Sequence, residues 1–145
     1  MEIRIVEDAT CDELEVTFRC SRIDQRITNA IARLRVADMK LTGYAGGEAR
    51  IVPVPKVLYA ESVDKRTFFY TERESYESRL RLYEMADILE AADFVRASKS
   101  CLINFSKVTS VRPGGAGRLI VALEGGDLVQ VSRQYAPNVK RKLGM

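Results

Sequence analysis

Apolar and charged residues alternate over positions 1–6 and again over 14–20, so both stretches are predicted as half-buried strands. Ile23, Ile27, Ala30, Ile31 and Leu34 then follow at helical spacing and predict an amphipathic helix over about 22–37. Ser21, three positions before Asp24, gives that helix a capping-box-like start with an acid in the first turn. Its other face carries Arg22, Arg26, Arg33 and Arg35, which suits solvent or a polyanion. The run Gly43-Tyr44-Ala45-Gly46-Gly47 is the best place for a module boundary.

Beyond that run the pattern turns to short strands. Residues 49–54 are rich in β-branched residues and are ended by Pro53 and Pro55. Residues 57–60 and 67–71 are strong strand text around a polar loop at 61–66. Leu82, Met85, Ala86 and Leu89 recur at helical spacing and predict a short helix. Further strands are predicted at 94–96, 102–103, 108–111, 119–123 and 128–131, with turns at 113–117 and at Gly125-Gly126. A last helix falls within 133–143, with Pro137 in its first turn, Tyr135, Val139 and Leu143 on one side, and Gly144 closing it. The fold class expected is mainly β with short helices.

Composition narrows the picture mainly by exclusion. The 145 residues are 46% apolar and 30% charged, enough for one domain with an ordinary core and a small appendage. No apolar run approaches the ~20 residues of a membrane-spanning helix, and the start has no signal-peptide pattern. Cys11, Cys20 and Cys101 are odd in number and lack metal-ligand spacing, so they read as reduced thiols packed as small apolar residues in a cytoplasmic protein. Histidine is absent, which removes His-based acid/base catalysis, Ser-His triads and most zinc sites. Gly114-Gly115-Ala116-Gly117 lacks the Lys-Ser/Thr of a phosphate loop and reads as a hairpin turn. Glu72, Glu74 and Glu77 lie in polar strand and turn text without a partner for acid/base work. No enzyme, cofactor or metal is expected.

Charge is distributed unevenly. The net +3 divides into −1 over residues 1–45, −2 over 46–92 and +6 over 93–145. Such an excess in the last third suits a polyanion-binding face or a solvated basic surface. Within it, residues 94–104 place Arg96, Ser98, Lys99 and Ser100 between two apolar strand pieces. A hydroxyl and an ammonium side by side on a loop match a phosphate backbone. Val131-Ser132-Arg133-Gln134-Tyr135 repeats the recipe at a strand-to-helix junction. Ser132 is placed to cap the helix there, and Arg133 and Gln134 have the reach and donors to contact base edges. Asp64-Lys65-Arg66 is a third basic loop.

Taken in order, Leu58-Tyr59-Ala60-Glu61-Ser62, Leu82-Tyr83-Glu84-Met85, the stretch 94–100, Ile103-Asn104 and residues 131–135 closely resemble the LytTR DNA-binding domain over residues 47–144. The resemblance implies a bacterial transcription regulator with an elongated β fold. It also implies that loops, rather than a recognition helix, enter successive major grooves of double-stranded DNA at tandem repeats. Carried over by position, the contacts expected are Lys65, Arg66 and Thr67 in the first loop, then Arg96, Ser98, Lys99 and Ser100. Ser132, Arg133 and Gln134 form the third group, with Lys140 on the last helix. At the position where some members offer a base-reading histidine this chain has Thr67 or its neighbour Arg66, so a relative's operator does not transfer. Arg96 and Asn104 match family positions that suit either a structural role or a DNA contact.

The expected division is a strand-strand-helix extension at 1–45 and the LytTR-type domain at 46–145. The extension is too short for the phospho-accepting receiver that many members carry, and Asp8, Asp12 and Asp24 do not form a receiver's acidic pocket. It is similar instead to the front segment of stand-alone members. Its strands and helix are free to pack on the domain or to make a dimer contact. A homodimer on tandem sites and a membrane or signalling protein supplying the input are the partners this implies. The rival reading is a protein-interaction module of the same fold that no longer reads specific DNA.

Overall fold

The computed structural model describes all 145 residues. Residues 1–24 form neither helix nor paired strand, and each of them is exposed. This corrects the two strands predicted at 1–6 and 14–20: the alternation is present, but no neighbouring strand in the chain supplies backbone partners. Only a turn is fixed there, where Asp8 accepts from the Thr10 N–H at 2.9 Å and from Cys11 at 3.0 Å. Cys11 and Cys20 are exposed rather than packed.

The first helix, α1, spans Gln25–Ala37. Asp24 itself is the N-cap, with its carboxylate accepting from the Arg26 and Ile27 N–H groups, so the start lies three residues later than a Ser21 cap would place it. No α1 residue is fully buried; Val36 and the following Met39 reach the core edge.

Ten strands follow: β1 Lys40–Ala45, β2 Glu48–Pro53, β3 Tyr59–Val63, β4 Arg66–Tyr70, β5 Ser75–Ser78, β6 Phe94–Ser98, β7 Cys101–Asn104, β8 Val108–Gly115, β9 Arg118–Leu123 and β10 Leu128–Val131. Helix α2 is Leu82–Leu89 and α3 is Ala136–Lys142. The first seven strands form one antiparallel sheet in the order β2-β1-β5-β4-β3-β7-β6, and the last three form a second sheet, β10-β9-β8. The glycine run expected to mark a boundary is part of the β1–β2 hairpin, whose turn is Gly46-Gly47, so β1 belongs to the large sheet. The polar loop expected at 61–66 shrinks to the turn Asp64-Lys65, because Val63 pairs with Arg66.

Alternation along the central strands sends side chains to two cores. Ala60, Phe69, Phe94 and Leu102 face one side, against Leu82, Met85 and Leu89 of α2. Met85 and Leu89 are fully buried, and each contributes about 1.5–3 kcal/mol of apolar burial. Helix α2 starts where the Glu84 carboxylate accepts from the Arg81 N–H at 3.0 Å. Leu58, Val95, Ala97 and Ile103 face the other side, against the second sheet and Ala136 and Val139 of α3. Beside this shared core, a backbone bond links the end of β10 to β6, the Ser132 N–H donating to the Ala97 carbonyl at 2.8 Å. No helix is long and apolar enough to cross a membrane.

Candidate nucleic-acid interface

Strand directions alone bring four connections to one end of the molecule. The Ser62 N–H donates to the Ser100 carbonyl at 2.9 Å, which sets the β3–β4 turn beside the β6–β7 turn. The Ser132–Ala97 bond sets the β10–α3 junction beside the far end of β6. Leu119 pairs with Val131 and Gly115 with Arg118, so the β8–β9 hairpin tip arrives at the same end. Residues far apart in the chain therefore share one rim.

Ser98, Lys99, Ser100, Ser132, Arg133 and Gln134 line a single open cleft of about 450 Å³, together with Ala116 and Arg118. Its lining contains three cations and no carboxylate. Lys65, Lys99, Arg118 and Arg133 make no ion pair within the chain. Cations left unneutralised along a rim are what binding to a phosphate backbone requires. Arg118 and Ala116 escaped the sequence reading because their place depends on the β9–β10 register; the glycine-flanked hairpin tip was the only hint.

Each connection is shaped locally. Asp64 and Lys65 have φ of 51° and 66°, so the β3–β4 turn is a tight two-residue hairpin in the left-handed region. A non-glycine residue there costs roughly 1–2 kcal/mol, and in exchange Lys65 stands at the tip. Arg66 is held differently. Its guanidinium makes a two-point ion pair with Glu77, with Nε donating at 3.1 Å, and lies 5.2 Å from the Phe68 ring centroid. Hydrogen bonding from Arg66 holds the Glu77 carboxyl below its usual range. Arg66 is thus neutralised along the sheet and must leave Glu77 to meet a phosphate. Thr67 corrects an expectation: it faces the core at 4% exposure and has no side-chain surface to offer a groove.

The β6–β7 turn is internally braced. Arg96 Nη1 donates to the Lys99 carbonyl at 2.8 Å, so this guanidinium supports the turn's backbone. The Ser98 hydroxyl accepts from the Ser100 N–H at 3.2 Å and lies 3.3 Å from the Ser100 hydroxyl. Lys99 is left projecting. Next to Ser100, burial together with the Glu61 carboxylate pushes the Cys101 thiol up to about 12, so it is a packed, protonated thiol rather than a nucleophile. Asn104 is buried and engaged through both amide atoms: Nδ2 donates to the Val57 carbonyl at 2.8 Å, and Oδ1 accepts from the Ser106 N–H and hydroxyl at 3.1 and 2.7 Å.

At the third connection Tyr135, not Ser132, is the residue preceding α3. The Ser132 carbonyl accepts from the Tyr135 and Ala136 N–H groups, so its backbone rather than its hydroxyl starts the helix. Arg133 is supported from the side: a Cβ built at Gly117 would lie 3.1 Å from its Cγ, so the glycine leaves room for the arginine stem. Lys140 lies elsewhere. It is exposed on α3, outside the cleft lining, and the helix ends with Lys142 bonded to Asp93 at the start of β6, the opposite end of that strand.

The family model described as the LytTr DNA-binding domain matches residues 47–144 of this chain. The chain belongs to the LytTR family. Its fold is similar to that of a Bacillus cereus chain described as the LytTr DNA-binding domain of a response regulator, with a TM-score of 0.69 and 25% identity over 73% of this chain and 97% of that one. Among curated proteins it is similar to the transcriptional regulatory protein YpdB of Escherichia coli K12, 33% identical over 84 residues, which is 57% of this chain and 34% of that protein. It is also similar to the sensory transduction protein LytT of Enterococcus faecalis, 26% identical over 139 residues, covering 88% of this chain and 57% of that protein. The second similarity reaches ahead of residue 47, into the segment outside the LytTR match. The chain spans roughly a third to just over half the length of these relatives. The cleft described above lies wholly within the matched residues.

Proposed function

We propose that this chain is a sequence-specific, double-stranded DNA-binding transcription regulator that reads tandem repeats in the major groove through its loops. The observation that carries this reading is the carboxylate-free cleft at the end where four connections converge, with Lys99, Arg118 and Arg133 in its lining and Lys65 on the neighbouring turn, none of them paired with an acid. Its physical logic divides the labour. Lys65, Lys99 and the hydroxyls of Ser98 and Ser100 meet phosphates and fix register. Arg133 and Gln134 project from the mouth of α3 and have the bidentate donors that distinguish guanine and adenine edges. Arg66 joins the phosphate contacts by exchanging Glu77 for DNA. Lys140 makes at most a peripheral phosphate contact, given its place on the outer side of α3.

In this reading the reading domain begins at β1, because that strand lies within the large sheet, and the residues before it are an extension, with the input supplied by a membrane or signalling protein and the chain acting in the cytoplasm. Two tandem repeats suit two copies of the chain. Selection from random duplexes tests the core of the proposal, and enrichment of a repeated motif is the expected result. Lys99→Ala should weaken binding to every sequence and lower the salt slope by about one phosphate contact. Arg133→Ala or Gln134→Ala should relax sequence choice instead. A selection without an enriched motif, or a mobility shift unchanged after all three loops are mutated, would leave the rival reading, a protein-interaction module of the same fold.

A further inference from the structure

Residues 1–24 carry a strong pattern that nothing in their own chain satisfies. Apolar residues alternate with polar ones on both sides of the turn at Asp8, yet Ile3, Ile5, Leu14 and Val16 stand 77%, 88%, 92% and 55% exposed. An apolar surface of this extent, built with strand periodicity, is expected to be covered in the working molecule. The other half of the pattern lies on the large sheet. Strand β2 is its edge, with one side of its backbone unpaired, and Ile51 on that strand is 70% exposed. An unpaired strand edge and an unpaired strand-patterned segment in one chain are complementary by backbone hydrogen bonding.

We infer that residues 1–24 of one copy add as a strand to the β2 edge of a second copy, and that the exchange is reciprocal, closing a two-fold dimer. Charge disfavours arm-to-arm pairing. Residues 1–24 hold seven acidic and three basic side chains, whereas the remaining 121 hold thirteen acidic and twenty basic. Two arms laid together would repel, which leaves a strand edge of the body as the arm's partner. Reciprocal exchange covers both apolar patterns at once and uses each copy's arm and β2 edge once, which is the condition for a closed assembly rather than a fibre. The DNA rim takes no part in it.

Analytical ultracentrifugation of the full chain at micromolar concentration tests the inference. The expected species has twice the 16.3 kDa chain mass. Val16→Asp and Ile51→Asp should each weaken association by ~100-fold, with circular dichroism unchanged for Val16→Asp because that side chain belongs to neither core of the monomer. Cys11→Ser chains labelled at Cys20 with donor or acceptor dyes and then mixed should show energy transfer, because each arm lies on its partner. A wild-type chain that stays monomeric overturns the inference, as does a dimer indifferent to Val16→Asp. A dimer lost with Val16→Asp but kept with Ile51→Asp overturns the β2 seat. Both variants should still bind a duplex carrying a single repeat, so a failed dimer and a failed DNA-binding reading give different results.

Discussion

Replacing Asn104 by Ala separates a structural from a DNA-contacting role at a position where the sequence supports both. The wild-type side chain makes three hydrogen bonds, one to the Val57 carbonyl and two with Ser106. Val57 is fully buried, so its carbonyl loses that partner without easy access to water, a cost of about 1–3 kcal/mol. Ser106 is less enclosed and can recruit solvent, so its two lost bonds add about 1 kcal/mol. The backbone bond from the Asn104 N–H to the Leu58 carbonyl survives the substitution. The expected loss is therefore ~2–4 kcal/mol. Urea unfolding followed by circular dichroism reads it: with a slope of about 1–3 kcal/mol per molar, the midpoint should fall by about 1–2 M. Affinity for cognate duplex, measured where the variant remains folded, should stay within ~3-fold of wild type, a difference under about 0.7 kcal/mol. An unchanged midpoint with abolished DNA binding would refute the reasoning and make Asn104 a ligand for DNA.

Three other expectations follow from the same geometry. Lys65→Gly relieves a left-handed turn position and should raise stability by about 1 kcal/mol in chemical denaturation, while weakening DNA binding through the lost tip cation. Gly117→Ala introduces strain at φ +79° and a Cβ against the Arg133 stem; a random-duplex selection should show altered preference at the base nearest Arg133, with ~1 kcal/mol lost in stability. Cys101 keeps its proton up to about pH 12 when folded, while an unfolded thiol titrates near ~8.5. Its contribution is therefore complete below that lower value and declines as pH rises toward the folded one. Between pH 8.5 and 10 the native chain should lose ~2 kcal/mol that Cys101→Ala does not lose, read from denaturation midpoints across that range.

Much of the β architecture was legible because its strands follow alternation, and the short helices because their apolar residues recur at helical spacing. Leu82, Met85 and Leu89 bury as their spacing foretells, and Pro137 opens α3. The same alternation at 1–6 and 14–20 misleads, since periodicity reports what a segment can bury and not whether a partner strand is present. Thr67 was misplaced by a single-residue question of facing: in β4 it and Phe69 point into the core while Arg66 and Phe68 point out. The cleft was half legible. Local chemistry marks 98–100 and 132–134, but Arg118 joins them only through pairings that no local pattern encodes. Arg96 and Asn104 were ambiguous because a side chain that holds a loop and one that reaches from it have the same composition.

The Ser132–Ala97 bond has a consequence for how this chain would be re-engineered. The Lys99 turn belongs to one sheet and the Arg133 junction follows a strand of the other, so their separation is a dimension of the joint between sheets. Transplanting both loops onto a related scaffold would carry their vocabulary but not their spacing. If the loops read tandem repeats as proposed, a substitution beneath the joint would change which repeat period fits. The ruler that this reading needs lies under the loops.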